Sequence, residues 1–545
     1  MPSSIEFKLF APNVSKQISL IGSFSAWNKV SMTKHDDGYF HVNVDLDDGE
    51  YEYKYRIEDG EQDIIDPYAT RVDIKRQVSL IRIQNGKRIV DTYEWKYDDS
   101  KELPVENRDL VIYEVFVADF TEEGTFQSAI NKLDYLSTLG INCIQLMPVF
   151  EADEGHDWGY VTRHFFSVQS SYGRSEDLKQ FVDECHQRGM RVMIDCVFNH
   201  SHGECPLTKI DRGFWYYTGL HHPDHPNEVW GPEFNYEHEE NGIKPAWLFI
   251  SDVIRFYIQE YHIDGIRFDA TKQIDNHDVL RHFDRLSKEL KQNFYTVAEY
   301  VPATSKMCKP NGPLDGVWVG VGPNIVEQFS NVNQLEAEKM KSMIDPRYDG
   351  KESYEKITNC VTFWACHDNY RLIHWLADKL KYFDRQAFNR LKFAAVILLT
   401  CWGVPMIFMG DEFGESKKKE ETKTVLKLDW SLPNNRPNHS LLDLYCCLIG
   451  FRKSSNALKS DNLSFFYEHI DNQILAYVRW TNEGERVVVV LNFSSINCYR
   501  KYRIEHWPQA GKWLDLIDGF TIDVSEQGPE IDLNELKAKV FVWKG

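Results

Sequence analysis

Short alternating runs of apolar and polar residues fill the first hundred positions. QISLIG, YFHVNVDL and EYEYKYRI alternate on a two-residue period and are separated by turn dipeptides such as DG. That pattern predicts a β-sandwich over residues 1–100. A charged stretch without apolar periodicity, YDDSKELPVENRD, follows as a candidate linker. From residue 109 the pattern changes. LVIYEVFV, NCIQLMPV, RVMIDCVF, IDGIRFD, YTVAEY, NCVTFWACH and VPMIFMG are short apolar runs of the kind buried parallel strands show. A much weaker run at Gly316-Val317-Trp318 brings the count to eight. Helical stretches lie between several of them: SEDLKQFVDECHQRG with Ser175 as N-cap, PAWLFISDVIRFYIQEYH and NHDVLRHFDRLSKELKQN. Strands alternating with helices predict β/α units, and eight of them predict a closed (β/α)8 TIM barrel over 109–452. An open doubly wound sheet is the alternative, but no GxGxxG follows the first strand. A segment at 200–247, rich in His, Pro, Gly and aromatics, reads as one long loop of the kind that usually serves function. Alternation returns in ILAYVRW, RVVVVLNF and AKVFVWKG, which predicts a second β-sandwich over 455–545. KKKEE near residue 417 reads as a charged surface loop.

Composition and charge narrow the function classes. The 545 residues carry a net charge of 62 − 83 = −21, which argues against a nucleic-acid partner and against an anionic membrane surface. No apolar run approaches the length of a membrane span, and the N-terminus MPSSIEFKLFAPN has neither a basic nor an apolar leader region. The 11 Cys are scattered without zinc-like spacing, and the pair Cys446-Cys447 lies in a run that reads as a buried helix. Free thiols fit a reducing compartment, so a cytoplasmic location is expected. Aromatics make up 14% of the chain, which suits either a large core or surfaces that stack on sugars.

Chemistry is expected at the C-terminal ends of barrel strands. RVMID ends in Asp195, with Asn199 and His200 just beyond; IDGIRFD ends in Arg267 and Asp269; YTVAE ends in Glu299; CVTFWACHD ends in His367 and Asp368. An acid at one strand end is more often a helix cap than a catalyst. Acids at four ends of one rim raise each other's pKa, a cost that suggests use. Such acids suit metal-assisted hydrolysis or glycoside hydrolysis. The first would be marked by closely spaced His and acids such as HExxH, which is absent; HSH at 200–202 and HHPDH at 221–225 sit in the long loop. The second calls for aromatic platforms, and Trp158, Tyr160, Phe165, Trp215, Tyr216, Tyr217 and Trp230 are candidates.

DCVFNH (195–200), DGIRFDATK (264–272), VAEY (297–300) and ACHDN (365–369) resemble, in order, the four conserved regions of the α-amylase superfamily, glycoside hydrolase family 13. FKLFAPNVSKQISLIGSFSAWN, GEYEYKYRI and DPYA resemble its N-terminal family-48 carbohydrate-binding module, which accompanies branching enzymes, isoamylases and maltooligosyl-trehalose trehalohydrolases. VIYEVFVADFTEEGTF and HDWGY resemble the same subgroup. The resemblance implies a retaining hydrolase of α-1,4/α-1,6-glucans, with starch, glycogen or maltooligosaccharides as substrate. Asp269 would be the nucleophile, and Glu299 the general acid/base, which must hold a proton while Asp269 stays ionised. Asp368 would favour ring distortion; His200, His367, Tyr160 and Trp158 would meet the same sugar; Arg267 would hold Asp269 ionised; Lys272 would contact the leaving side of the glucan. No metal or cofactor takes part in this chemistry; a structural calcium at Asn199 is left open. A branching transglycosylase is the alternative within the family. A non-catalytic glucan-binding relative and a metal-dependent hydrolase stand outside it.

Overall fold

A computed structural model describes residues 2–57, 62–97, 103–152, 157–222, 227–417 and 426–545. Eight parallel strands close into a barrel in chain order: β1 (Ile112–Val115), β2 (Cys143–Leu146), β3 (Arg191–Cys196), β4 (Gly265–Phe268), β5 (Tyr295–Ala298), β6 (Gly316–Gly320), β7 (Cys360–Phe363) and β8 (Val404–Phe408). The weak run at 316–318 is therefore a full member, and β1 closes on β8 with Ile112 opposite Met406. Side chains alternate between the barrel interior and the surrounding helices. Ile112, Met193, Tyr295, Val297, Val361 and Met406 fill the interior, while Tyr113, Val115, Ile194, Ile266 and Phe268 pack outward. Gly265 makes room inside: a Cβ there would lie 2.7 Å from Met193 Cγ and 2.7 Å from the Tyr295 carbonyl.

The helices include α1 (Ser175–Gln187), α2 (Pro206–Trp215), α3 (Pro245–Tyr261), α4 (His277–Leu290) and α5 (Arg436–Ser454). The cap of α1 falls one residue earlier than expected. Arg174 precedes the helix, and its N–H donates to Asp177 Oδ2 at 2.7 Å, while the Ser175 hydroxyl turns to Asp91 and Tyr261. At α4 the Asn276 side chain caps the Val279 N–H at 2.9 Å. The long segment at 200–247 is not one loop. It contains α2, kinked at Asp211, and its last three residues begin α3. Cys446 and Cys447 do lie on a helix, α5, but neither is fully buried: Cys446 is half-buried against the core and Cys447 is exposed.

Antiparallel sheets flank the barrel. Residues 3–89 form a three-stranded and a seven-stranded sheet, and residues 463–543 form a six-stranded sheet with a two-stranded companion. The N-terminal module is packed directly on the barrel. Tyr68 stacks on Phe166 at 4.7 Å and donates to Asp252 of α3 at 3.0 Å; Phe10 meets Phe214 and Trp215 of α2. The chain between them is bound as well. Tyr93 donates to Asp183 of α1 at 2.7 Å, and the Val105 carbonyl accepts from Arg191 at 2.9 Å. Residues 98–102 of the candidate linker, and all of KKKEE beyond Lys417, lie outside the described residues. At the C-terminal side, buried Arg479 donates to the carbonyls of Thr400 and Cys401 at 3.1 and 2.8 Å, fastening the last domain to the end of the helix Asp384–Thr400 that leads into β8.

Candidate active site

Strand parity brings the site together. Asp195 shares the inward side of β3 with Met193 and stands opposite Arg267 in the ladder. Asp269 and Glu299 continue the inward parity of Arg267 on β4 and of Val297 on β5, just past the strand ends. Fully buried Arg267 is the hub. Its Nη1 donates to Asp195 at 2.6 and 2.7 Å and to Asp269 Oδ1 at 2.8 Å, and its Nη2 lies 2.9 Å from Glu299 Oε2. Its guanidinium carbon sits 4.3 Å from the Trp318 ring centroid, a desolvated cation–π contact. Ala270 adopts a left-handed backbone with φ 48° and donates its N–H to Glu299 Oε2 at 3.0 Å. A non-glycine residue held there costs about 1–2 kcal/mol, strain of the kind stored at functional sites.

The second half of the site surrounds His367. Its ring stacks on Tyr160 at 4.9 Å and 20°, and Trp158 stands edge-on at 6.2 Å. Tyr160 donates to Asp195 Oδ2 at 2.5 Å, which joins the two halves. His367 Nε2 lies 3.2 Å from Asp368, whose side chain is half exposed at the rim. On the other side, His367 meets Glu114, a fully buried acid on β1. His200 is buried beside the Tyr160 backbone, with the half-exposed Trp230 ring 5.8 Å away. Lys272 is half-buried on the turn of helix Thr271–Ile274 and makes no ion pair with the cluster acids. The segment from 200 onward docks on that turn: His222 Nε2 contacts the Gln273 carbonyl at 2.9 Å, and Tyr217 stacks on His221 at 4.0 Å. Residues 223–226, with the rest of HHPDH, lie outside the described residues, as does His156 of HDWGY.

Burial raises Asp269 well above the usual carboxylate range; Arg267 opposes this, while Glu299, Asp195 and Asp368 add to it. Burial also lifts Asp195, to about 6, against Arg267 and His367. Three carboxylates on one guanidinium cannot all ionise cheaply, so the group as a whole retains a proton near neutral pH. The upward pressure thus includes the expected nucleophile, Asp269. His367 moves the other way. Burial alone would lower it, but Asp368 and Glu114 outweigh burial and raise it to about 10, so it is a cation. Burial pushes His200 down to about 4, so it is neutral.

Glu114, Trp318 and Glu233 were not singled out from the sequence. Glu114 had one signal, an acid at inward parity in an apolar run; Glu233 had none, and is buried against His200 through a backbone bridge. Asn199, where a structural calcium is left open, turns its side-chain nitrogen to His200 Nδ1 at 3.4 Å, and its carbonyl accepts the Phe234 N–H. Among the described residues no cluster of three or more His, Cys, Asp or Glu has metal-holding geometry.

Residues 59–212 and 225–432 match the family described as alpha amylase, catalytic domain, and residues 467–541 match the alpha amylase C-terminal all-beta domain. Residues 6–103 match the glycogen recognition site of AMP-activated protein kinase. The chain is 28% identical over 423 residues to a malto-oligosyltrehalose trehalohydrolase of Saccharolobus solfataricus, covering 70% of this chain and 69% of that one. It is 26% identical over 554 residues to a 1,4-alpha-glucan branching enzyme of Bacillus cytotoxicus, covering 92% and 81%. A pullulanase type I from Bacillus subtilis, solved in complex with maltose, superposes with a TM-score of 0.83 at 20% identity over 100% of this chain and 85% of that one, a likeness of fold.

Proposed function

The chain belongs to the α-amylase family, and from that premise we propose that Asp269, Glu299 and Asp368 carry out a double displacement on an α-1,4/α-1,6-glucan, with water as acceptor. The observation that carries this reading is the single guanidinium of Arg267 within 3 Å of Asp195, Asp269 and Glu299. Arg267 favours the ionised form of Asp269 at the moment of attack. Asp269 bonds to the anomeric carbon as the bond to the leaving sugar breaks, and the proton retained by the cluster passes from Glu299 to the leaving oxygen. Glu299 then takes a proton from water, whose oxygen displaces Asp269. Two inversions give net retention. Tyr160, backed on one face by His367, offers the other face to the sugar. His367 and Asp368 meet its hydroxyls, with Trp158 and neutral His200 completing the wall. The match of residues 6–103 to a glycogen recognition site supports a glucan as the partner.

A sugar hydroxyl as acceptor, giving a branching transglycosylase, is favoured by the near full-length likeness to a branching enzyme. Incubation with amylose and glycogen separates the two. Hydrolysis raises reducing ends; transglycosylation raises α-1,6 branch points at constant ends. Glu299→Gln is expected to slow glucan cleavage by about 10²–10⁴-fold, the usual worth of a general acid/base. An aryl glycoside whose leaving group needs no proton should form its glycosyl-enzyme with far less loss. Equal losses on both substrates would remove Glu299 from the acid role. Lys272→Ala should change product length more than overall rate, as read by chromatography of maltooligosaccharide products; an unchanged distribution removes Lys272 from the leaving side.

A further inference from the structure

Glu114 is fully buried on β1 between Tyr113 and Val115. Both of its oxygens go to one residue just past the end of β7, two strands away around the barrel. Oε1 lies 2.8 Å from His367 Nδ1, and Oε2 accepts the His367 backbone N–H at 3.2 Å. At the other ring nitrogen, Nε2 lies 3.2 Å from Asp368 Oδ2. A neutral imidazole has one N–H and can serve only one of these two acids. We propose that Glu114 is a positioning residue that keeps His367 doubly protonated and aimed, so that its Nε2–H serves Asp368 and the sugar hydroxyl beside it. This rests on the glucan-cleaving reading of the site.

The surroundings agree. Tyr160, Trp158 and Trp318 cover the imidazole, and Asp195 on β3 adds to the negative field around it. Behind Glu114 stand Cys366 and Asp411; Asp411 is itself paired to Arg371 at 2.7 Å. The imidazolium balances two acids that would otherwise face each other through a neutral ring. Because the folded pKa of His367 is raised to about 10, the stabilisation its charge gives is complete below its ordinary pKa, declines as pH rises above that, and is gone once pH has passed through about 10.

Spectra of the full-length protein with 15N-labelled histidine, in which His367 is assigned by the signals lost in His367→Gln, should show both ring nitrogens protonated at pH 8. In Glu114→Gln the same signals should titrate in the neutral range. The rate kcat/KM on glucan should fall about 10–100-fold, as when other orienting groups are removed, and acquire a decline as pH rises through neutrality that the unmodified protein lacks. In a His367→Gln background, Glu114→Gln should cost little more. A singly protonated His367 at pH 8 in the unmodified protein overturns the proposal, and that result needs no variant of Glu114 to fold. Full additivity of the two substitutions overturns it too. If the unmodified protein does not cleave glucan, the functional reading fails, while the spectra still decide the protonation of His367.

Discussion

Asp269→Asn should reduce glucan turnover by roughly 10⁴–10⁶-fold, the scale seen when a nucleophile is removed from a working active site. Glucan binding should survive, because Tyr160, His367, Asp368 and the N-terminal module do not depend on the Asp269 charge. The substitution also removes one of three carboxyl groups from around Arg267, one that burial holds above its ordinary range. Stability should therefore be unchanged or increased at pH 7–8, as read by thermal unfolding. Activity within tenfold of the unmodified enzyme would end the assignment of Asp269 as nucleophile. Loss of folding would show that the acid is structural.

Arg267→Met should show the opposite pairing of effects: loss of turnover together with loss of stability. Removing the partner of a buried charge typically costs about 3–5 kcal/mol, since the partner remains uncompensated. Here Asp195 and Asp269 are both left behind, with Glu299 beside them. Asp195 and Asp269 already have folded pKa values above those of the unfolded chain, Asp195 at about 6, so they oppose folding more as pH rises above the ordinary carboxylate range. Without Arg267 the carboxylates are pushed higher still. The deficit in unfolding midpoint should therefore be largest at pH 8 and shrink toward pH 5, where protonation relieves the crowding. A deficit that does not change with pH would mean that Arg267 matters through packing on Trp318 rather than through charge.

The contrast between these variants shows what the sequence could and could not convey. Alternation within a strand is local, so Arg267 and Asp269 could be placed on one face from their spacing, and Asp195 and Glu299 could be read at strand ends. Glu114 could not be read this way, because its partner His367 lies 253 residues away in the chain. Only closure of β1 against β8 brings the two near each other. Trp318 was hidden for a related reason: its strand is glycine-flanked, and its value lies in facing a cation from β4. The helix α2 escaped because its kink at Asp211 breaks the 3.6-residue period and its aromatic residues suggested a loop. The exposure of Cys447 was a question of helix rotation, which a run of apolar letters does not settle. The pressure on Asp269 could not be read either, since it depends on burial and on three long-range neighbours.

The close seating of the N-terminal module has a consequence for polymers. Tyr68 on Phe166 and Asp252, Phe10 on α2, and Arg163 bonded to Gln77 at 2.7 Å join module and barrel without slack. A tethered binding module lets its enzyme sweep a volume, and its gain in local concentration follows the length of the tether. A seated module behaves as a ruler. For a glucan gripped by it, the bond presented to Asp269 lies a set number of sugar units from the grip, so periodic product lengths are expected from long chains.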